Sequence, residues 1–270
     1  MSFDSDFKTI HEILLKIAES FHQVCENNKI QYYMLGGTML GAIRHKGFIP
    51  WDDDMDFGVM AEDWSKLIEA LNKDLPQYYR VRDIKNTRGI SNPSIKIEDA
   101  RTIIKETDKP DECDVIGINI DVFPLNYTNE RKNFFSKNSL IEKLIRLNLC
   151  RFLDYKSKPL IKRVLSNVFK AMLFPFPKDF LVSIIQKYLV TNKGNCITNY
   201  WGAWINKEIV PAGVMGKPAK YVFENTFFWG VANPDEYLKH LYGDYMKIPP
   251  KDKIHYHVLD WKYRDDCENI

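Results

Sequence analysis

Residues 35–58 read LGGTMLGAIRHKGFIPWDDDMDFG, and this stretch decides both the fold and the chemistry. It opens with Gly36-Gly37-Thr38 directly ahead of helical spacing. Without side chains, the two glycines let backbone amides approach a phosphate closely, and a helix start adds partial positive charge there. A plain tight turn is the competing reading of a glycine pair. The stretch closes on Asp52, Asp53, Asp54 and Asp56. In extended backbone, residues two apart share a face, so Asp54 and Asp56 project together. Two such carboxylates offer the hard oxygen ligands that Mg²⁺ prefers, with Mn²⁺ as its substitute. A solvated acidic turn is the ordinary reading of a charge run. It fits poorly between Trp51 on one side and Phe57, Val59 and Met60 on the other. Acids at the edge of buried structure repel one another unless a cation neutralises them.

Upstream, Phe3, Phe7, Ile10, Leu14, Ile17, Phe21 and Val24 recur at alternating spacings of four and three, the stripe of an amphipathic helix that covers a sheet face. A short strand is expected at 30–35 and a helix at 39–45, with Thr38 as its cap. Downstream, the pattern predicts strands at 54–59, 78–84, 94–97 and 103–105 and a helix at 61–71. The clearest interior strand covers 115–123 and is closed by Pro124. Within it Asn119 and Asp121 alternate with apolar residues. An aspartate in such a strand needs a partner, which makes Asp121 the candidate third carboxylate; the alternative is a cap of the Pro124 turn. Strands interleaved with helices give an α+β class, a mixed sheet flanked by helices, with a helical insertion and a C-terminal α/β portion. The expected parts are a catalytic core over 1–128, a basic helical segment over 129–193, and a portion over 194–270 that completes the cleft.

At 270 residues the chain is long enough for a substantial core, and its net charge of +2 excludes a protein that is basic throughout. The charge is uneven: residues 131–193 hold fourteen basic side chains against three acidic ones, interleaved with Leu, Ile and Phe. Such a surface suits peripheral contact with an anionic membrane, or an ordinary helical subdomain with snorkelling lysines; nucleic acid is not expected as a partner. The five cysteines are scattered without a CxxC pair, against a zinc site or a disulfide framework. The start of the chain lacks the apolar core of a signal peptide, and no later run approaches the ~20 residues of a spanning helix. The expected location is cytoplasmic, with peripheral contact at the inner face of the membrane.

A glycine turn, an Asp-x-Asp strand and an aspartate on a later strand resemble the arrangement of the nucleotidyltransferase superfamily. The wording is more specific still. GGTMLGAIRHKGFIPWDDDMDFG, the IDVFPL at 120–125, and YGDYMKIPP at 242–250 followed by His255 and His257 resemble the LicD family. The resemblance touches the beginning, middle and end of the chain and passes over the basic segment. It implies transfer of phosphocholine, or of a polyol phosphate as in the related fukutin-related enzymes, from a CDP-linked donor to a hydroxyl of a cell-surface glycan. Carried over residue by residue, Asp54 and Asp56 become metal ligands and Asp121 the third acidic residue, with Asp52 and Asp53 as accessories. Gly36, Gly37 and Thr38 would hold donor phosphates. Arg44, a turn or so beyond Thr38, reads as a phosphate clamp or a surface arginine, and Lys96 as a cleft cation or a solvated sheet residue. Asp244, His255 and His257 belong to the surround of the site without an assigned role. Trp201 and Trp204 read as core rather than as sugar platforms. A nucleotidyltransferase acting on a small or sugar acceptor, a metal-dependent glycosyltransferase and a non-catalytic glycan-binding protein are the competing functions.

Overall fold

A computed structural model describes residues 3–90, 92–106, 113–129, 194–202, 205–250 and 258–265, with a few single positions between 164 and 183. The basic segment of 129–193 therefore lies almost wholly outside the described residues, as do His255 and His257. In the first part of the chain the elements are α1 (Phe3–Asn27), β1 (Tyr32–Met34), α2 (Gly36–Arg44), β2 (Asp56–Met60), α3 (Trp64–Asp74), β3 (Tyr79–Arg82), β4 (Ile95–Asp99), β5 (Thr102–Glu106) and β6 (Asn119–Thr128). They are followed by β7 (Cys196–Thr198), β8 (Ile209–Pro211), the single turn α4 (Ala212–Met215), β9 (Ala219–Phe223), β10 (Thr226–Gly230), α5 (Pro234–Tyr242) and β11 (Val258–Tyr263).

The main sheet runs β1-β2-β6-β4-β3, with β7 and β8 continuing from the second half of β6. Its pairs are antiparallel except β2 with β6, which run parallel with Asp56 opposite Asp121. The mixed sheet flanked by helices expected from the sequence is the fold observed. One strand departs from expectation: β6 starts later than position 115 and passes through Pro124 to Thr128. The reason is local. Pairing with β4 ends at Val122 and pairing with β7 begins at Asn126, so Pro124 falls in a gap where no ladder bond needs its missing N–H. With no turn at Pro124, Asp121 is not a turn cap.

Helix α1 packs over β4 and β6 and against α3. Its buried face is broader than the stripe in the sequence, taking in Ile13, Ala18 and Cys25 as well as Leu14, Ile17 and Phe21. Phe21, Tyr32, Phe57 and Phe228 meet in the centre, with Phe21 and Phe57 ring centroids 5.0 Å apart and Phe57 and Phe228 5.8 Å apart. The phenylalanine that follows Asp56 is thus locked from three elements. A single core joins α1 and the main sheet to Val214, Phe223, Phe228 and Leu238 from the C-terminal portion. Helix α5 has clear local causes: Pro234 opens it, Asp235 and Glu236 lie in its first turn, and Gly243 ends it at φ +72°. Among the described residues no helix is long and apolar enough to cross a membrane.

Candidate active site

Period-two alternation starts before the strand that carries it. Asp52, Asp54 and Asp56 are half-buried, while Asp53, Met55 and Phe57 are buried on the opposite side. The first set lines a cleft of about 540 Å³, and Asp121 joins it from the neighbouring parallel strand. Asp53 turns away, and its Oδ2 accepts the Val258 amide of β11 at 2.7 Å. The C-terminal strand thereby fixes the acidic loop from behind. Helix α1 fixes it too, because His11 Nε2 donates to the Asp52 carbonyl at 2.6 Å while its ring stacks on Phe48.

The electrostatics follow from crowding. Burial, then the Asp54 and Asp53 charges and a hydrogen bond with Asp54, push the Asp52 carboxyl well above the ordinary range, with Arg44 opposing. Burial, followed by Asp54, Asp121 and Asp52, pushes Asp56 well up, against the pull of Lys96. Crowding and burial thus both oppose ionisation of Asp52 and Asp56. Among the described residues, oxygens of Asp52, Asp53 and Asp54 all lie within 4.8 Å of one another. Asp52 and Asp54 turn hard oxygens of this group to the cleft, which fits a divalent ion such as Mg²⁺, while Asp53 already accepts the Val258 amide. Among the described residues Asp54, Asp56 and Asp121, the set expected from the sequence, do not come within that mutual distance.

The helix start adjoins the acids. Helix α2 begins at Gly36, two residues before the expected cap, and its first intrahelical bond runs from Met39 N to Leu35 O. Thr38 is not the cap; its hydroxyl accepts the Asp56 amide at 2.8 Å and so ties the helix to the acidic strand. Gly36 has φ +47°, a conformation that favours glycine, and its amide donates to the Tyr237 hydroxyl at 3.1 Å. A Cβ on Gly37 would lie 2.8 Å from Asp52 Oδ2, so a larger residue there would displace that carboxylate from the helix N-terminus.

Lys96 is committed to the sheet row formed by Asp56, Asp121 and itself. Its Nζ lies 2.6 Å from Asp121 Oδ2 and 2.9 Å from Asn119 Oδ1. Arg44 donates to the Tyr245 carbonyl at 2.7 Å and neighbours Asp52, away from the cleft lining. Asp244 is exposed beyond the end of α5 and does not line the cleft. The sequence reading expected residues 194–270 to complete the cleft and placed the motif beginning at Tyr242 in its surround. It did not single out Thr198, Asn199, Glu208 and Tyr237, which line the same cleft with Trp201 and Tyr242. Trp201 is buried, as expected, and also forms part of the cleft wall, while Trp204 lies outside the described residues.

A strand-borne carboxylate set at the mouth of a helix faces a cleft of about 540 Å³, an arrangement with the hard oxygens that a divalent cation could use. The comparisons place the chain further. The family described as LicD/FKTN/FKRP, nucleotidyltransferase domain, matches residues 29–179. Lipopolysaccharide cholinephosphotransferase LicD of Haemophilus influenzae is 29% identical over 263 residues, covering 93% of this chain and 95% of the relative. Human ribitol 5-phosphate transferase FKRP is 48% identical over 40 residues, 15% of this chain and 8% of that protein. Among solved structures, terminal uridylyl transferase 4 from Trypanosoma brucei with bound GTP overlaps at 12% identity and a TM-score of 0.23, covering 67% of this chain and 42% of that one. That overlap is too slight to carry any argument. The chain belongs to the LicD/FKTN/FKRP nucleotidyltransferase-domain family.

Proposed function

We propose that this chain transfers a phospho-alcohol group, phosphocholine or a polyol phosphate, from a CDP-activated donor to a hydroxyl of a cell-surface glycan. The observation that carries the reading is the convergence of Asp52, Asp54 and Asp56 with Asp121 on one cleft beside the start of α2. The transferase relatives support the same reaction class.

Asp54 and Asp56, with Asp52 beside them, are the residues that would hold Mg²⁺, or Mn²⁺ in its place. Once bound, the ion would supply Lewis-acid neutralisation of the donor pyrophosphate. The chain's own groups do the rest. Asp52 and Asp56, whose carboxyls are costly to ionise among their neighbours, would be the groups that gain most from a positive charge in the cleft. The α2 start, with Gly37 and Thr38 in its first turn, turns its positive end to the donor phosphates. Lys96 holds Asp121 by Oδ2, which leaves Oδ1 to take the proton of the acceptor hydroxyl. The acceptor oxygen then forms a bond to the transferred phosphorus in line with the departing CMP, whose P–O bond breaks. A donor screen with CDP-choline, CDP-ribitol and NTPs in Mg²⁺ tests the proposal. CMP release that depends on a glycan acceptor and is abolished by EDTA is expected. Pyrophosphate release from an NTP would make the chain a nucleotidyltransferase instead, and metal-independent glycan binding without turnover would make it a binding protein.

A further inference from the structure

Residues 46–51 carry the chain from the end of α2 to Asp52, and the tip of the β9–β10 hairpin reaches across to hold them. The hairpin turns on Glu224 and Asn225 alone, between the paired Phe223 and Thr226. Glu224 sits there at φ +51°, a backbone conformation that hairpins usually give to glycine or asparagine. Lys46, which it meets, is likewise left-handed at φ +62°. Three contacts accompany these two unfavourable conformations. The Glu224 amide donates to the Lys46 carbonyl at 2.7 Å. The Glu224 carboxylate accepts the Phe48 amide at 2.9 Å. Between them Gly47 leaves the room that the carboxylate occupies, since any Cβ there would overlap it. Strained backbone persists only where its surroundings hold it, so the hairpin tip is shaped for this contact rather than for a free turn.

From Phe48 the hold passes to the acids. Its buried ring stacks on His11, with centroids 4.1 Å apart, and meets Phe223 of β9 edge-on at 4.9 Å. His11 donates to the Asp52 carbonyl at 2.6 Å, and the Asp52 amide donates to the Ile49 carbonyl at 2.9 Å. Both peptide groups of Asp52 are thus fixed by residues that Glu224 helps to place. The five paired positions of β9 and β10 hold the hairpin without this carboxylate, so its reach to Phe48, 176 residues away in sequence, serves the loop. We infer that Glu224 is a positioning residue for the cation site: its carboxylate sets the 46–51 loop and thereby the place of Asp52 in the cleft. The inference rests on the cation-dependent transfer proposed above and deepens it. Glu224 does not line the cleft, so it acts through the loop. Partners behind a metal ligand change metal affinity on the order of ten- to a hundredfold when they are removed.

Titration of the full-length chain with Mn²⁺, followed by electron paramagnetic resonance of the free ion, reads the site without donor or turnover. Glu224→Ala should weaken binding by about tenfold or more. Glu224→Gln, whose amide oxygen still accepts the Phe48 amide, should bind close to the wild type. In an Asp52→Asn background Glu224→Ala should cost nothing further, because the carboxylate it positions is already gone. Gly47→Ala displaces the Glu224 carboxylate without removing it and should weaken binding likewise, which keeps the test open if Glu224→Ala does not fold. No Mn²⁺ binding by the wild type, unchanged affinity in folded Glu224→Ala or Gly47→Ala, an equal loss in Glu224→Gln, or losses that add in the double variant would each overturn the inference. CMP release from CDP-choline with a glycan acceptor separates it from the transfer reading. The expected binding pattern without CMP release keeps the positioning role and removes the transfer. CMP release at limiting Mn²⁺ that Glu224→Ala leaves unchanged keeps the transfer and removes the positioning role. With both in place, excess Mn²⁺ should restore kcat in Glu224→Ala; a kcat that stays low at saturating metal would overturn a role confined to the cation site.

Discussion

Asp56 is held half-buried beside Asp52, Asp54 and Asp121, and the folded chain carries that crowding as a cost. Asp52 and Asp56 both bind protons more tightly in the folded state than in the unfolded one. The folded chain therefore holds more protons from about pH 4 upward, and stability of the metal-free protein falls as pH rises through the elevated folded values. Thermal melts in EDTA should show this decline, and Mg²⁺ should reverse it increasingly toward neutral pH; a melt that is flat with pH and unmoved by Mg²⁺ would count against a cation site. By the same logic, Asp52→Asn removes a carboxyl that is costly to ionise among its neighbours. It should raise the metal-free stability by about 1 kcal/mol while weakening Mg²⁺ binding measured by calorimetry. A loss of stability instead would mean that Asp52 is held by partners rather than crowded by neighbours. At this scale the sequence spoke clearly for Asp54 and Asp56, because period-two alternation is a local property. It could not show that Thr38 bonds the Asp56 amide or that Lys96 is spent on Asp121, since both depend on register between strands distant in sequence.

At the scale of elements, β2 positions the acids through the residue behind them. Phe57 is fully buried among Phe21, Tyr32 and Phe228, so Phe57→Ala should destabilise the fold by about 3–5 kcal/mol. Chemical denaturation measures it, and a cost below about 1 kcal/mol would contradict this packing. Helix α5 packs on α2 and bonds its first residue through one hydroxyl: Tyr237→Phe leaves the Gly36 amide without its acceptor. A loss of about 1–2 kcal/mol is expected, with a raised KM for the donor. The α1 stripe and the strand–helix order were legible because both rest on periodicity. The helix start at Gly36 and the passage of β6 through Pro124 were not, because a positive φ and a gap between two partner strands leave no periodic trace.

Across the whole molecule, charge is divided between a cleft lined by acids and a segment, 131–193, with fourteen basic residues against three acidic ones. We propose that this segment rests on an anionic membrane surface, near the glycan that receives the transferred group. Co-sedimentation with anionic vesicles at low salt should capture the chain, and capture should fall as salt rises; no binding at low salt would remove the idea. The far wall of the cleft was the least legible part of the site. Trp201, Glu208 and Tyr237 reach it only because β6, after pairing with β2, goes on to pair with β7 and draws residues 196–242 over the acids. No spacing within the chain records that fold-back. The most direct measurement is Mg²⁺-dependent CMP release from CDP-choline in the presence of a glycan acceptor, comparing the wild type with Asp56→Asn. The cation-holding cleft predicts a loss of about a hundredfold or more with the fold unchanged; full activity in the variant would contradict it.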